Sequence, residues 1–320
     1  MTMLSRVADS LYWMSRYLER AEHIARVVNV NLNLTLDRAP ADAARHWGRL
    51  LAALPDPPPW LARTPEDLLE RATVDLANRE SIAACIGAAR ENARQVREEI
   101  SSEMWEEINR LYLSVRRNRV SEREWTAGTH EFLTAAIGGV HLFQGVTDAT
   151  MTHGEGWHFM ELGRYLERAS ATAALLEVQF RECEWSEERY LTVGDYVEWV
   201  GLLKSCCAFE AYCRHYTADV RARRIAEFLV LNTDFPRSIH FAVVRIQASL
   251  RALALLSGRA NGRAERLAGR LQASLDFGQV DEIIDDLPAF LSGIVRQATE
   301  INAAVHQQYV AYPIDTALAG

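Results

Sequence analysis

The chain of 320 residues reads Arg16-Tyr17-Leu18-Glu19-Arg20-Ala21 near its start, and the same six residues return letter for letter at 164–169. The second occurrence lies 148 residues after the first. At roughly 1 in 20 per position, the roughly 50,000 possible pairings leave odds of about 1 in 1,000 for such an identity by chance. The sequence therefore indicates a duplicated structural unit.

Hydrophobic spacing places the first hexapeptide on a helix predicted over about residues 4–36. One stripe has the 3-4-3-4 spacing of a core-facing helix surface and comprises Leu11, Met14, Leu18, Ala21, Ala25, Val28 and Leu32. A second apolar stripe comprises Trp13, Tyr17, Ile24 and Val27. Arg20 falls inside this second stripe, and in the second copy Arg168 falls among Tyr165, Thr172 and Leu175. Both guanidinium groups are therefore predicted to be buried.

A buried arginine stays charged, so each copy must supply or bind a negative partner. Under one hypothesis, Glu19 and Glu167 pair with arginines of the same or the opposite copy and hold the two helices in register. Under the other, the arginines line a cleft between the copies and bind a carboxylate or phosphate. The two hypotheses are compatible if one arginine pairs internally and another faces solvent. Arg16 and Arg164 flank the motif on a neighbouring stripe of the helix.

Composition narrows the class of protein. Glycine (17) and proline (9) are too few for the many tight turns of an all-β protein. The net charge of −8 argues against a general nucleic-acid or anionic-membrane binder. Five cysteines without a CxxC pair indicate no disulfide framework or zinc knuckle, and neither a secretory signal nor an 18-residue apolar run is found. We expect a soluble cytoplasmic protein with no nucleic-acid or membrane partner.

Helical periodicity dominates the rest of the chain and predicts an all-α, internally duplicated bundle of about ten helices. A connector at 55–59 is rich in proline, and Thr64 with Pro65 reads as a helix start. Further helices are predicted at about 81–115, 125–150, 156–182, 194–216, 219–231, 236–257, 261–276 and 288–310. Breaks are predicted at 232–236, 257–262 and 277–288. We expect a first repeat over 1–120 and a second over 121–320, with both sharing one continuous core.

Two further groups of residues are candidates for anion binding. The segment Arg90-Glu91-Asn92-Ala93-Arg94 places several charges on a helix, where a solvated, salt-bridged surface is the alternative interpretation. Arg237 follows Pro236 at a helix start, where backbone N–H groups also attract anions. The spacing of His153 and His158 matches no standard metal motif, so no metal site is predicted. Because no nucleotide-binding or nucleophile motif is present either, the chain alone is not expected to bind ATP.

These motifs together resemble the alpha-E family, which is named for a predicted α-helical domain with a Glu-Arg motif. The resemblance spans about residues 3–312. It rests on the Tyr-Leu-Glu-Arg-Ala repeat, the 90–94 segment, Ile100-Ser101-Ser102-Glu103-Met104-Trp105, Gly156-Trp157-His158-Phe159 leading into Gly163-Arg164, and Pro236-Arg237-Ser238. Family members carry Arg-Asp-Glu-Gly-Trp where this chain has His153-Gly154-Glu155-Gly156-Trp157. The resemblance therefore implies no role for an arginine at position 153.

The resemblance implies a setting in amide or peptide bond formation. Alpha-E proteins are encoded beside, or fused to, circularly permuted ATP-grasp proteins, often with transglutaminase-like proteases nearby. ATP-grasp enzymes activate carboxylates as acyl-phosphates, so ATP and Mg would be held by that partner. An arginine-lined cleft is chemically consistent with such substrates.

Three hypotheses follow. The leading one is a component of an ATP-grasp-linked amidoligase system that binds an acidic small molecule or peptide. Its expected substrate-binding residues are Arg16, Arg20, Arg90, Glu91, Asn92, Arg94, Arg164, Arg168 and Arg237. The second is a non-catalytic helical scaffold for the ligase, and the third is a free-standing amide ligase or hydrolase with Glu19 or Glu167 as base. Whether the chain is itself an enzyme stays open in the sequence.

Overall fold

The computed structural model describes residues 3–35, 46–48, 50, 52–54, 64–117, 125–182, 192–217, 219–258 and 262–310, and every regular element in these ranges is helical. The α-helices are α1 (Ser5–Thr35), α2 (Pro65–Thr73), α3 (Ile82–Gln95), α4 (Ser102–Arg117), α5 (Trp125–Thr150), α6 (Glu155–Glu182), α7 (Val193–Ser205), α8 (Phe209–Tyr216), α9 (Ala222–Leu231), α10 (Ile239–Ser257), α11 (Arg263–Asp276), α12 (Val280–Ile283) and α13 (Leu287–Val305). A 3-10 turn, Ile284–Asp286, precedes α13, and a π-helical segment, His306–Val310, follows it. The predicted all-α class is confirmed.

The two helices that carry the repeated hexapeptide, α1 and α6, pack directly on each other at the centre of the fold. Contacts advance together along both helices, from Leu11 near Gly156 to Arg20 at Glu167, so the helices run side by side in the same direction. The two helices approach closely at Gly163, where a Cβ atom would lie 2.4 Å from the carbonyl oxygen of Tyr12. Only glycine fits there, because any side chain would overlap the backbone of α1.

The duplication extends beyond the hexapeptide to a capping loop before the next core helix. In the first copy, the Ser81 hydroxyl accepts from Ala84 N at the start of α3 and donates to the carbonyl of Asp75. In the second copy, the Ser238 hydroxyl accepts from Phe241 N at the start of α10 and donates to the carbonyl six residues earlier. Each loop thus satisfies one of the free N–H groups of a helix start in the same way. α3 packs on α1, and α10 packs on α6.

The remaining long helices repeat this arrangement. α3, α4 and α5 pack in sequence beside α1, as α10, α11 and α13 pack beside α6. One hydrophobic core contains residues from both halves. This packing groups α5 with the first copy, which favours a boundary at 151–154 over the one predicted between 120 and 121. That predicted boundary itself lies outside the described residues, as does the predicted proline connector at 55–59.

Local signals predicted most helix boundaries correctly, and the exceptions have local causes. Thr64 caps α2 with Pro65 in its first turn, as predicted. The helix predicted over 81–115 is wrong: α3 ends at Gln95, and the Ser101 hydroxyl caps α4 by accepting from Met104 N. The helix predicted over 194–216 also divides, into α7 and α8, since Cys207 adopts a left-handed φ of 53°. The break predicted at 277–288 contains α12 and the 3-10 turn.

One described helix, α10, has the length and mean hydropathy of a membrane span. Ten of its residues are buried in the protein, where it packs against α6 and α11.

Candidate functional site

A buried ionic network joins α1 to α6 at the repeated hexapeptides. Arg20 donates from Nε to Glu167 Oε1 at 2.5 Å and from Nη2 to Oε2 at 3.0 Å. Arg16 donates from Nε to the same Oε2 at 2.8 Å. The Glu167 side chain is only 4% exposed, so this carboxylate of the second copy is enclosed by two arginines of the first.

The reciprocal pair completes the network. Arg168 of the second copy donates from Nε to Glu19 Oε1 at 2.6 Å and from Nη2 to Oε2 at 2.8 Å. Gln144 of α5 adds an amide donor to the same Oε2 at 3.1 Å. The arginine of each copy therefore pairs bidentately with the glutamate of the other, and this is the stronger geometry for such pairs.

The two capping loops supply the third nitrogen of each central arginine with a partner. Arg20 Nη1 contacts Glu80, which precedes the capping Ser81, and Arg168 Nη1 donates to the carbonyl of Pro236 at 3.1 Å. Arg237 precedes the capping serine of the second copy, and its Nη2 lies 2.8 Å from Glu22 Oε2. The guanidinium groups predicted to be buried are therefore buried and held by carboxylates of the chain itself.

The glutamates in this network are held in their ionised form. Burial alone would raise the pKa of Glu167, but the charges of Arg16 and Arg20 outweigh it and hold the pKa at about 2. The pKa of Glu19 is likewise low, because Arg168 outweighs its burial. A carboxylate with a low pKa and both oxygens engaged by guanidinium groups is a poor general base. The geometry therefore gives little support to Glu19 or Glu167 as the base of a free-standing enzyme.

The two flanking arginines, which are identical in the repeat, have different surroundings. Arg16 donates to Glu167 and also from Nη1 to Asn302 Oδ1 at 2.8 Å, and its guanidinium lies 4.7 Å from the centroid of the Trp13 ring. Burial lowers the pKa of Arg16, but Glu167 outweighs it and leaves the pKa raised. This copy of the flanking position is closed by partners from three helices.

Arg164, its counterpart, has one carboxylate contact among the described residues, from Nη2 to Glu161 on its own helix. Glu161 also accepts from Arg245 Nη2 of α10 at 2.6 Å, so two guanidinium groups share one carboxylate. Burial lowers the pKa of Arg164, and the charges of Arg168 and Arg245 lower it further. The pKa of Arg164 is therefore lowered, mainly by burial, whereas that of Arg16 is raised.

Arg164 and Arg245 line an open cleft of about 400 Å³ between α5, α6 and α10. The α5 wall comprises His141, Gln144, Gly145 and Asp148, and the α6 wall comprises Glu161, Arg164 and Tyr165. The guanidinium of Arg245 lies 5.8 Å from the centroid of the Trp157 ring and 5.6 Å from that of Tyr165. These two rings and Glu161 orient Arg245, whose side chain is 39% exposed.

The 90–94 segment lies elsewhere, on α3, and its Arg90 is on the side that meets α4. Arg90 donates to Asn109 Oδ1 at 2.6 Å and lies 4.8 Å from the centroid of the Tyr112 ring. Arg94 and Glu91 pair on the surface, and Asn92 donates to a carbonyl of its own helix. The structure does not bring these four residues to the cleft, and a substrate role for them stays a prediction.

Sequence reasoning missed six side chains around these arginines and glutamates: Glu22, Glu80, Gln144, Glu161, Arg245 and Asn302. The repeat of Ser-Ile at 81–82 and 238–239 could have located the capping loops and, with them, Glu80. Nothing in the local pattern marks Arg245, which reaches the cleft only because α10 packs on α6. Among the described residues, no three His, Cys, Asp or Glu side chains converge as metal ligands, and His153 stacks on Trp157 with ring centroids 4.1 Å apart.

Comparisons with known proteins find mycobacterial relatives of similar sequence. Uncharacterized proteins of Mycobacterium bovis (strain ATCC BAA-935 / AF2122/97) and of Mycobacterium tuberculosis (strain CDC 1551 / Oshkosh) are each 23% identical over 323 residues. Each alignment covers 94% of this chain but 35% of the relative, so the chain spans about a third of their length. No solved structure matches the chain.

A family model covers nearly the whole chain, residues 3–310, and describes a predicted alpha-helical domain with a conserved ER motif. In this chain the Glu-Arg dipeptides of the two hexapeptides, Glu19-Arg20 and Glu167-Arg168, are the reciprocal ion pairs between α1 and α6. The chain therefore belongs to the Alpha-E family.

Proposed function

We propose that this chain binds an acidic substrate, a carboxylate or an acyl-phosphate, for a circularly permuted ATP-grasp protein in an amide-bond-forming system. The observation that carries the proposal is the difference between the two copies. Each flanking arginine shares one carboxylate with a second arginine, but Arg16 also donates to Asn302, whereas Arg164 lines an open cleft beside Arg245. An anion in that cleft would compensate the positive charge that Glu161 alone leaves on Arg164 and Arg245.

The chain's own residues suit this task. The paired guanidinium groups present planar N–H donors, which match a carboxylate or phosphoryl group bidentately. Trp157, Tyr165 and Glu161 hold Arg245 in place, so little ordering is needed when an anion binds. The ligase partner, with its ATP and Mg²⁺, is an expectation from the family resemblance, and so are a neighbouring transglutaminase-like protease and a cytoplasmic location.

The test is ligation by the assembled system. The chain is co-purified with a circularly permuted ATP-grasp protein from the same organism, and ADP release is measured against added carboxylates and amines. We expect Arg164→Gln and Arg245→Gln to leave folding and co-purification intact while lowering substrate-dependent turnover at least tenfold. Arg181→Gln is the matched control, because Arg181 lies on the same helix in an exposed pair with Glu177. Full turnover by the Arg164→Gln/Arg245→Gln double variant would refute the proposal.

A second candidate, a helical scaffold for the ligase, draws on the central pairs. Arg20 and Arg168 have all three guanidinium nitrogens engaged inside the protein, which suits a structural role. A scaffold predicts that Arg20→Gln abolishes co-purification with the ligase, while Arg164→Gln changes neither assembly nor turnover. The same co-purification and turnover measurements therefore separate the two candidates.

A further inference from the structure

The cleft proposed above as the substrate site contains acidic as well as basic side chains. Asp148 lies on its α5 wall, with a carboxylate-bearing side chain that is 69% exposed. Its one ion pair among the described residues is a long contact of 3.9 Å to His153 Nε2. Neither Arg164 nor Arg245 lies within 4.0 Å of it, although all three line the same cleft. The negative charge of Asp148 and the positive charges of Arg164 and Arg245 thus line one cleft without forming an ion pair.

The charges around this opening sum to zero. Arg164 and Arg245 contribute two positive charges, and Glu161 and Asp148 contribute two negative ones. Glu161, however, is 2% exposed and already committed to both arginines. A ligand would therefore meet one uncompensated positive charge, shared by Arg164 and Arg245, and on the α5 side the negative charge of Asp148. A simple anion would satisfy the first group and be repelled by the second.

We propose that the cleft binds a free α-amino acid in its zwitterionic form, an inference that rests on the proposed substrate role of the cleft. The α-carboxylate lies against the guanidinium groups of Arg164 and Arg245, and the α-ammonium lies towards Asp148. The amino-acid side chain has room beside Gly145, where an added Cβ atom would meet nothing within 4 Å. In an amide-forming system, an amino acid supplies either the carboxylate to be activated or the amine that attacks it.

The first experiment is a thermal-shift measurement of the whole chain against each of the twenty standard L-amino acids. The best of these is then titrated by calorimetry beside its N-acetyl derivative, which lacks the ammonium group, and its amide, which lacks the carboxylate. We expect both derivatives to bind at least tenfold more weakly than the free amino acid. No stabilisation by any of the twenty, or equal binding of the N-acetyl derivative, would overturn the inference.

Two pairs of variants locate the binding. Asp148→Asn should weaken the free amino acid at least tenfold and leave the N-acetyl derivative unchanged, while Asp285→Asn, an exposed acid in the 3-10 turn, should change neither. Gly145→Leu should block the amino acid by filling the cleft, whereas Gly138→Leu, in open space two turns earlier on α5, should not. Unchanged affinity in both Asp148→Asn and Gly145→Leu would place the ligand elsewhere and overturn the inference.

The outcomes separate this inference from the function it rests on. If the N-acetyl derivative binds as well as the amino acid and Arg164→Gln still lowers ligase turnover, the zwitterion is refuted while the carboxylate site stands. If turnover is unchanged in Arg164→Gln/Arg245→Gln, the proposed function fails whatever the titrations give.

Discussion

The two flanking arginines of the repeat allow a direct test of the asymmetry between the copies, by comparing Arg16→Gln with Arg164→Gln. Arg16→Gln removes two charge-assisted contacts to the buried Glu167 and one hydrogen bond to Asn302. Hydrogen bonds to charged groups contribute about 1.5–3 kcal/mol, and Arg20 remains to compensate Glu167, so we expect a loss of about 2–3 kcal/mol. In a chain of this size, that lowers the Tm by about 3–4 °C.

Arg164→Gln should behave differently although the residue is the same. It removes a buried cation that its arginine neighbours disfavour, and Arg245 remains to neutralise Glu161. We therefore expect a change in the free energy of unfolding within about 1 kcal/mol of zero. The assay is urea unfolding followed by tryptophan fluorescence, since guanidinium salts would screen the ion pairs. Equal destabilisation by the two variants, or a loss of 3 kcal/mol in Arg164→Gln, would refute the asymmetry.

Three further predictions concern the central helix pair. Burial lowers the pKa of His23 from 6.5 to about 4, so between these values the histidine is protonated in the unfolded chain but not in the folded protein. The free energy of unfolding should therefore fall by about 3 kcal/mol as the pH drops from 6.5 to 4. Urea unfolding measured across this range should show a smaller dependence on pH for His23→Ala. Arg20→Gln strips two contacts from buried Glu167 and should cost about 3–5 kcal/mol, measured by the same assay; a loss below 1 kcal/mol would contradict its buried pairing. Gly163→Ala places a Cβ atom 2.4 Å from the Tyr12 carbonyl oxygen and should lower the Tm. Gly138→Ala is the control: its Cβ atom would have no neighbour within 4 Å, and it should raise the free energy of unfolding by up to about 1 kcal/mol. A stabilised Gly163→Ala would be inconsistent with the close packing of α1 on α6.

The sequence alone predicted what depends on neighbours within a few residues. The apolar stripes of α1, the cap at Thr64 and the break after Leu231 follow from helix geometry and capping chemistry, which act within one or two turns. Burial of Arg20 and Arg168 also followed, because their positions on the helix surface fix which side they face. The helix predicted over 81–115 failed, since the periodicity on its two sides gave no sign of the turn at 96–101.

Only the tertiary structure decided how the charges are shared. The sequence left open whether Glu19 and Glu167 pair within a copy or across copies. The parallel packing of α1 on α6 brings each glutamate to the arginine of the other copy. The difference between Arg16 and Arg164 is invisible in identical hexapeptides. It arises because Asn302 and Arg245 come from helices that are distant in sequence, and the field at a buried charge is set by whichever groups the packing brings near it.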